Sequence, residues 1–425
     1  MSASVRFAVC LFTLVLGPAL ASAQPPAPLP APEPAPTTDP PPATTPDPAV
    51  TTEPAPEPAA TAEADKPPGS IHYDGGFIAE SGDDQFELKI GIRTQTRLEI
   101  TRREALDEFQ SHFVVPRLRL QLEGYAWGVA NAYKVEFDFA NRGDPVLKDF
   151  FIDHTFAAIA GQDVHVRGGQ WKKPFARHEL VSDYASEFNE RALANGLVDI
   201  GRDLGVMVHN GYDKSPDGLE WALGVFNGQG DADRPAATLD CDDPADASTC
   251  TVTTPTNTPA DLSPVVVARV GWNMGGIKGY SEGDLEGGPF RLAVGASYQA
   301  NLNDFAKDVD GDLLVEHGAE VDAIAKYEGI DVQGAAYMLK RGSADPDYAF
   351  FGQADYFVVP KTYQLAARYS LTPAAGDDDV QEILGAFTWF FKGHNFKWAT
   401  DGGVIITSAT DSNDLQIRTQ LQAAF

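Results

Sequence analysis

From Phe86 onward, apolar and polar side chains alternate. Phe86, Leu88, Ile90, Ile92, Leu98 and Ile100 occupy one parity, and Glu87, Lys89, Arg93, Gln95, Arg97 and Glu99 the other. A period of two predicts a β-strand with one apolar and one charged face. The next segment sets Val114, Leu118, Leu120 and Leu122 against Arg117, Arg119, Gln121 and Glu123. A third sets Tyr133, Val135, Phe137 and Phe139 against Lys134, Glu136 and Asp138, and the last sets Leu415, Ile417, Leu421 and Phe425 against Gln416, Arg418, Gln420 and Gln422. Counted to the C terminus, about 16 such segments follow one another, an even number that suits a closed membrane barrel. They start near Phe86, His112, Asn131, Leu147, Val164, Asp203, Leu219, Ser263, Pro289, Glu320, Asp331, Tyr348, Thr362, Val380, Phe396 and Asp414.

The connections alternate in length. Short turns such as Lys392-Gly393-His394-Asn395 and Val358-Val359-Pro360-Lys361 alternate with longer links near Arg177, Asp240 and Asp308, as short periplasmic turns alternate with external loops. One link, Met274 to Gly288, is long for its short-turn place. A secreted soluble sandwich or β-helix would instead hide its apolar face in a core. Tyr125, Trp127, Trp171, Trp272, Trp389 and Trp398 fall near strand ends, where interfacial girdles form. The fold class read from the pattern is all-β: a transmembrane antiparallel β-barrel of about 16 strands.

One stretch interrupts the alternation. Between strand-like ends at Val164 and Val206 lies a charged insertion with Lys172, Lys173, Arg177, Arg191 and Arg202 among Asp and Glu. At roughly 25 to 30 residues it exceeds ordinary loop lengths, and loops of that size are usually functional or disordered. Trp171, Phe175, Leu180, Tyr184, Phe188 and Leu197 give it apolar material to pack, so an ordered, functional element is expected.

Composition adds the flanks. Arg6 followed by the apolar run Phe7 to Leu16 and by Ala21-Ser22-Ala23 reads as a signal peptide over residues 1–23. Residues 24–69 are rich in Pro, Ala and Thr with scattered acid, a disordered linker that cannot bury a core. Residues 70–425 form the barrel domain. The formal net charge of −29 argues against non-specific nucleic-acid binding. Much of the acid lies in the tail and in loops at Asp240 to Asp246, Asp308 to Asp312 and Asp377 to Asp379, so the total is a poor guide to the charge inside a pore. Cys241 and Cys250 lie in one short polar segment, where an oxidising compartment favours a disulfide stapling the loop. Asp308-Val309-Asp310-Gly311-Asp312 looks like part of a calcium loop, but the remaining EF-hand positions are out of register. Neither a paired-histidine zinc motif nor a nucleophile elbow is present, so no catalysis, metal or cofactor is expected.

With these residues laid out, the chain resembles the phosphate-selective porin O and P family of Gram-negative outer membranes. The matching stretches are Pro116-Arg117-Leu118-Arg119-Leu120 with Gly124, Gly169-Gln170-Trp171-Lys172-Lys173-Pro174-Phe175, Glu190-Arg191, Gly201-Arg202-Asp203-Leu204-Gly205-Val206 and Phe226-Asn227-Gly228, in matching order and spacing. The proline-rich leader and the acidic loops depart from the family pattern. The resemblance implies a 16-stranded barrel, usually trimeric, whose third loop folds inward and narrows the pore. By strand count that loop is the 172–202 insertion. A C-terminal Phe closing an alternating strand also resembles the signal read by the outer-membrane assembly machinery.

The expected function is passive diffusion of small hydrophilic solutes, anions such as phosphate first, across the bacterial outer membrane, with the tail in the periplasm. A general or cation-tolerant porin, or a structural or adhesive barrel anchoring the envelope, is the alternative. Lys89, Arg93 and Arg97 share one strand face with Arg117 and Arg119 beside them, a possible basic ladder that suits oxyanions. Lys172, Lys173, Arg177, Arg191 and Arg202 could add charge from the inserted loop. The competing reading is that these cations pair with Glu87, Glu99, Glu123, Glu136 and Asp138 and brace the wall. For Arg202 and Glu190 the expected role is bracing, with Arg202 pinning the loop through an acid.

Overall fold

The computed structural model describes residues 69–425 apart from 141–144, 160, 199–200, 229–237, 242–249, 254–263, 279, 303–313, 375–377 and 411. The signal peptide, the proline-rich tail, and the acidic stretches at 308–312 and at Asp377 lie outside the described residues. Alternation yields strands wherever it was expected. In chain order these are β1 (Phe86–Arg103), β2 (Glu108–Ala126), β3 (Asn131–Asp138), β4 (Val146–Ile159), β5 (Gln162–Lys172), β6 (Arg202–His209), β7 (Gly218–Phe226) and β8 (Val265–Met274). Then follow β9 (Arg291–Asn301), β10 (Glu316–Tyr327), β11 (Ile330–Arg341), β12 (Asp347–Val359), β13 (Tyr363–Pro373), β14 (Asp379–Lys392), β15 (Phe396–Thr407) and β16 (Ser412–Ala424).

Each strand pairs antiparallel with its sequence neighbour, and β16 pairs with β1 from Leu415↔Arg102 to Ala424↔Arg93, which closes a 16-strand barrel. The seam is extended by Phe425, whose N–H donates to the Ile92 carbonyl at 3.0 Å while its own carbonyl accepts from Ile92 N–H at 2.7 Å. Beyond the end of β16 the first residues of β1 would be an open edge. A hairpin, Ser70–Tyr73 and Phe77–Glu80, covers it by pairing Phe77↔Ile90 through Glu80↔Glu87.

The barrel has an apolar exterior. Along β12, Tyr348, Phe350, Tyr356 and Val358 are exposed, while Ala349, Phe351, Gln353, Asp355 and Phe357 are buried. Lipid would cover the first set. Among the described residues no helix is long and apolar enough to cross a membrane. Two expectations fail in detail. Val114 does not lie on the outer face: Val115 and Pro116 together oppose Thr96, a bulge that shifts parity so that Phe109, Phe113 and Val115 point outward and Val114 pairs with buried Arg97. Proline lacks the N–H a regular ladder needs, which suits Pro116 to this irregularity. Trp171 is not in a girdle either. It is buried inside the barrel, edge-on to Phe151 and Phe226.

Among the described residues two connections fold inward. The β5–β6 link, residues 173–201, leaves the rim and packs across the lumen against the far wall. Ala176 N–H meets Ser297 Oγ, Asn189 N–H donates to Asp401 Oδ2 at 2.7 Å, and Ala194 N–H donates to Ser370 Oγ at 2.9 Å. Beneath it the wall is apolar, with Met207, Phe226, Val267, Leu339 and Phe351 packed against Phe175, Ala192 and Ala194. The second is the β8–β9 link, residues 275–290, which enters from the opposite end. Ile277 and Glu282 are buried, and Glu282 N–H donates to the Ala185 carbonyl at 3.0 Å. The two insertions meet inside the barrel.

Candidate pore constriction

The third loop is held by charge on both sides of the lumen. Asp183 lies at the centre of the first anchor: its carboxylate is 3.1 Å from Arg117 Nε, 3.0 Å from Arg119 and 2.8 Å from Arg191. Burial alone would raise its pKa, but Arg191, Arg117, Lys172 and Arg119 together hold it well below the usual carboxylate range. Glu190 bridges Arg97 at 2.7 Å and Arg117 at 3.0 Å. On the far side Arg177 donates from Nε to Asp322 at 2.8 Å and stacks over Tyr280, which comes from the inward β8–β9 turn.

The sequence-derived cations therefore divide. Arg97, Arg117 and Arg119 bind loop carboxylates or wall acids, and Arg119 also reaches Asp138 at 2.9 Å and Glu136 at 3.3 Å. Arg202 meets Asp149 at 2.6 Å and Glu136 at 3.4 Å. Lys172 caps the loop's carbonyls at Glu179 and Val181, and Arg191 holds Glu179 at 3.1 Å. Lys173 is buried. Lys89 and Arg93 differ: among the described residues neither makes an ion pair, and Arg93 lies 5.3 Å from the Tyr184 ring centre.

Those two line open space. A cavity of about 60 Å³ is bordered by Lys89, Arg93, Gln121, Glu123, Asn395 and Phe425. A larger one, about 250 Å³, lies between the third loop at Leu180, Ser182 and Asp183 and the wall at Arg93, Arg119, Lys134, Glu136 and Arg202. The two share Arg93, Gln121 and Glu123 and so adjoin along the β1–β2 wall. The larger cavity carries six cationic side chains, Arg93, Arg119, Lys134, Arg167, Lys172 and Arg202, against five carboxylates, Glu123, Glu136, Asp149, Asp183 and Asp213. Lys89 adds to the positive side at the smaller cavity.

Across the lumen the balance reverses. Glu187 of the third loop faces Asp331 of β11 and Asp355 of β12, all buried, and Glu282 of the inward turn accepts from Glu187 N–H and Gln353 Nε2 beside them. Burial, followed by Asp355, Asp331 and Glu282, raises the Glu187 carboxyl well above the usual range. Sequence reasoning missed this cluster. Its one available signal was the excess length of the Met274–Gly288 link, since the acids themselves are scattered over four elements.

Cys241 and Cys250 lie directly opposite each other in a small two-stranded sheet, Thr238–Cys241 with Cys250–Thr253, inside the β7–β8 loop.

Residues 88–242 match the family model described as phosphate-selective porin O and P. None of the curated proteins compared with the chain matches it. Among solved structures, the anion-selective porin from Comamonas acidovorans aligns with a TM-score of 0.51 and 11% identity, covering 80% of this chain and 100% of its own. The outer-membrane channel DcaP of Acinetobacter baumannii gives 0.51 and 12%, with 81% and 99% covered. OmpT of Vibrio cholerae gives 0.50 and 13%, with 80% and 98% covered. Likeness at such low identity extends to the barrel fold.

Proposed function

We propose that this chain, whose residues 88–242 match the phosphate-selective porin O and P model, is an outer-membrane porin that passes small hydrophilic anions by passive diffusion. The observation that carries the reading is that, among the described residues, Lys89 and Arg93 make no ion pair and line these adjoining cavities. At physiological salt the Debye length is about 8 Å, so a passing ion responds to the side chains around it while acids outside are largely screened. A local excess of cations can therefore select anions in a protein whose total charge is −29. Fixed guanidinium groups also suit oxyanions, which accept several hydrogen bonds at once.

The paired arginines act differently in this reading: they keep the third loop in place, and the loop in turn keeps Arg93 at the narrow level. Family resemblance supports a homotrimer, with a signal peptide over 1–23 and residues 24–69 as a periplasmic linker. The carboxylates across the lumen favour a second reading, a cation-tolerant general porin.

Reversal potential in a salt gradient across planar bilayers separates the two. The wild type is expected to be anion-selective, and Lys89→Gln with Arg93→Gln should move the potential toward cations while heat-modifiable barrel is recovered at wild-type yield. Cation selectivity in the wild type, or no movement in the double variant, would overturn the anion reading.

A further inference from the structure

Glu187, Asp331 and Asp355 each place a carboxylate oxygen within 4.8 Å of the others. The group is buried where the third loop, the inward turn and the wall meet, and of its neighbouring cations Lys397 gives its hydrogen bond to the Ser186 carbonyl. Lys326 Nζ is 3.6 Å from Asp331 Oδ2 but spends its hydrogen bonds on the Ser281 and Gly283 carbonyls at 2.9 and 2.8 Å. Among the described residues neither Asp331 oxygen has a hydrogen-bond partner, and Asp355 Oδ2 has none either. Buried carboxyl oxygens left in this state are costly unless a proton or a cation is supplied.

A second feature points the same way. Gln353 and Gln364, both more than nine-tenths buried, border the cluster: Gln364 Nε2 donates to Glu187 at 2.7 Å and to Asp355 at 2.6 Å, and Gln353 Nε2 to Glu187 at 3.2 Å. Among the described residues their carbonyl oxygens have no partner. Turning either amide over exchanges its donor for an acceptor and adds a neutral oxygen to the carboxylate set. Gly283 makes the close approach feasible, since a Cβ there would lie 2.7 Å from Gln364 Nε2 and 2.9 Å from Glu187 Oε1.

We propose that Glu187, Asp331 and Asp355, completed by the carboxamide oxygens of Gln353 and Gln364, form a calcium site that locks the third loop to the β11–β13 wall. Carboxylates and amide carbonyls in a set without fixed octahedral geometry suit calcium, which takes six to eight oxygens, better than the smaller and more strongly hydrated magnesium ion. Binding from loop and wall together makes the ion a crosslink, so it stabilises the closed arrangement by mass action.

The test uses the full mature porin in detergent, stripped with EGTA and titrated with calcium chloride by calorimetry, with the heat-modification temperature read in parallel. One calcium per chain and a rise in that temperature are expected. Asp331→Asn and Asp355→Asn should each weaken binding roughly tenfold or more, as loss of ligand charge does at calcium sites. Both remove charge from a crowded acidic cluster, so folding should survive, and the heat-modifiable band checks it. A variant with Asp308, Asp310 and Asp312 changed to Asn should bind as the wild type does. The proposal falls if calcium neither binds nor raises the temperature. It falls equally if the loop variant loses the site while Asp331→Asn keeps it. These outcomes are independent of the reversal potential, so the anion reading stands or falls separately.

Discussion

Asp183 does the work of several residues, because one carboxylate satisfies Arg117, Arg119 and Arg191 at once. Asp183→Asn would leave three guanidinium groups short of an acceptor in a buried site. Breaking a buried pair from one side typically costs about 3–5 kcal/mol. The loop should loosen, lowering the heat-modification temperature and opening residues 173–201 to protease. Acid should mimic the substitution in the wild type. A carboxylate whose folded pKa lies below its unfolded value of about 3.9 contributes fully above that pH and loses its contribution as pH falls through the folded value. The temperature should therefore keep Asp183's contribution down to about pH 4 and lose it only in stronger acid, a loss absent from the asparagine variant.

At the scale of elements, the closing strand and the β7–β8 loop carry separate expectations. Phe425 completes two backbone hydrogen bonds with Ile92 and so finishes the β16–β1 seam. Deleting it should hinder assembly while leaving export intact, seen as loss of heat-modifiable barrel from the outer membrane with unfolded chain retained upstream. Wild-type levels of folded barrel would refute the terminal role. In the loop, register puts Cys241 across from Cys250, an arrangement whose backbone spacing of about 4.5–5.5 Å between opposed residues lies in the range a disulfide spans. Mass spectrometry of unreduced peptides from the mature protein should find them linked, and free thiols in both would remove the staple without touching the barrel.

At the scale of the whole molecule, the lumen is narrowed by two insertions from opposite ends, and the charge between them is divided by side. Cations slightly outnumber carboxylates around the cavity along β1–β6, and carboxylates gather at β11–β13. The inward turn supports the second group through Glu282, which accepts from Glu187 N–H at 2.9 Å, and supports Arg177 through Tyr280. Replacing residues 277–287 with a short turn should thus widen the path and free the third loop. Single-channel conductance should rise by roughly twofold or more, with noisier open states, since the narrowest level governs conduction. Unchanged conductance would mean that the turn lies outside the conducting path.

Strand number and order were legible in the sequence because a barrel wall between lipid and a polar interior forces alternation on every segment, and Phe86, Asn131 and Phe396 even mark strand starts to the residue. The third loop was legible through length and apolar content. What alternation could not reveal was any place where the interior is not water. Trp171 read as a girdle residue because a tryptophan at a strand end usually faces the interface, and only the inward loop turns that position into core. The bulge at Val115–Pro116 moved Val114 to the inner face through a two-against-one pairing that depends on the neighbouring strand. The same limit separates Lys89 and Arg93 from Arg97, Arg117 and Arg119. All five share a polar parity, but whether a cation steers solute or holds a loop depends on which carboxylates arrive from residues 64 to 93 positions away, such as Asp183 and Glu190, and that is decided by tertiary folding.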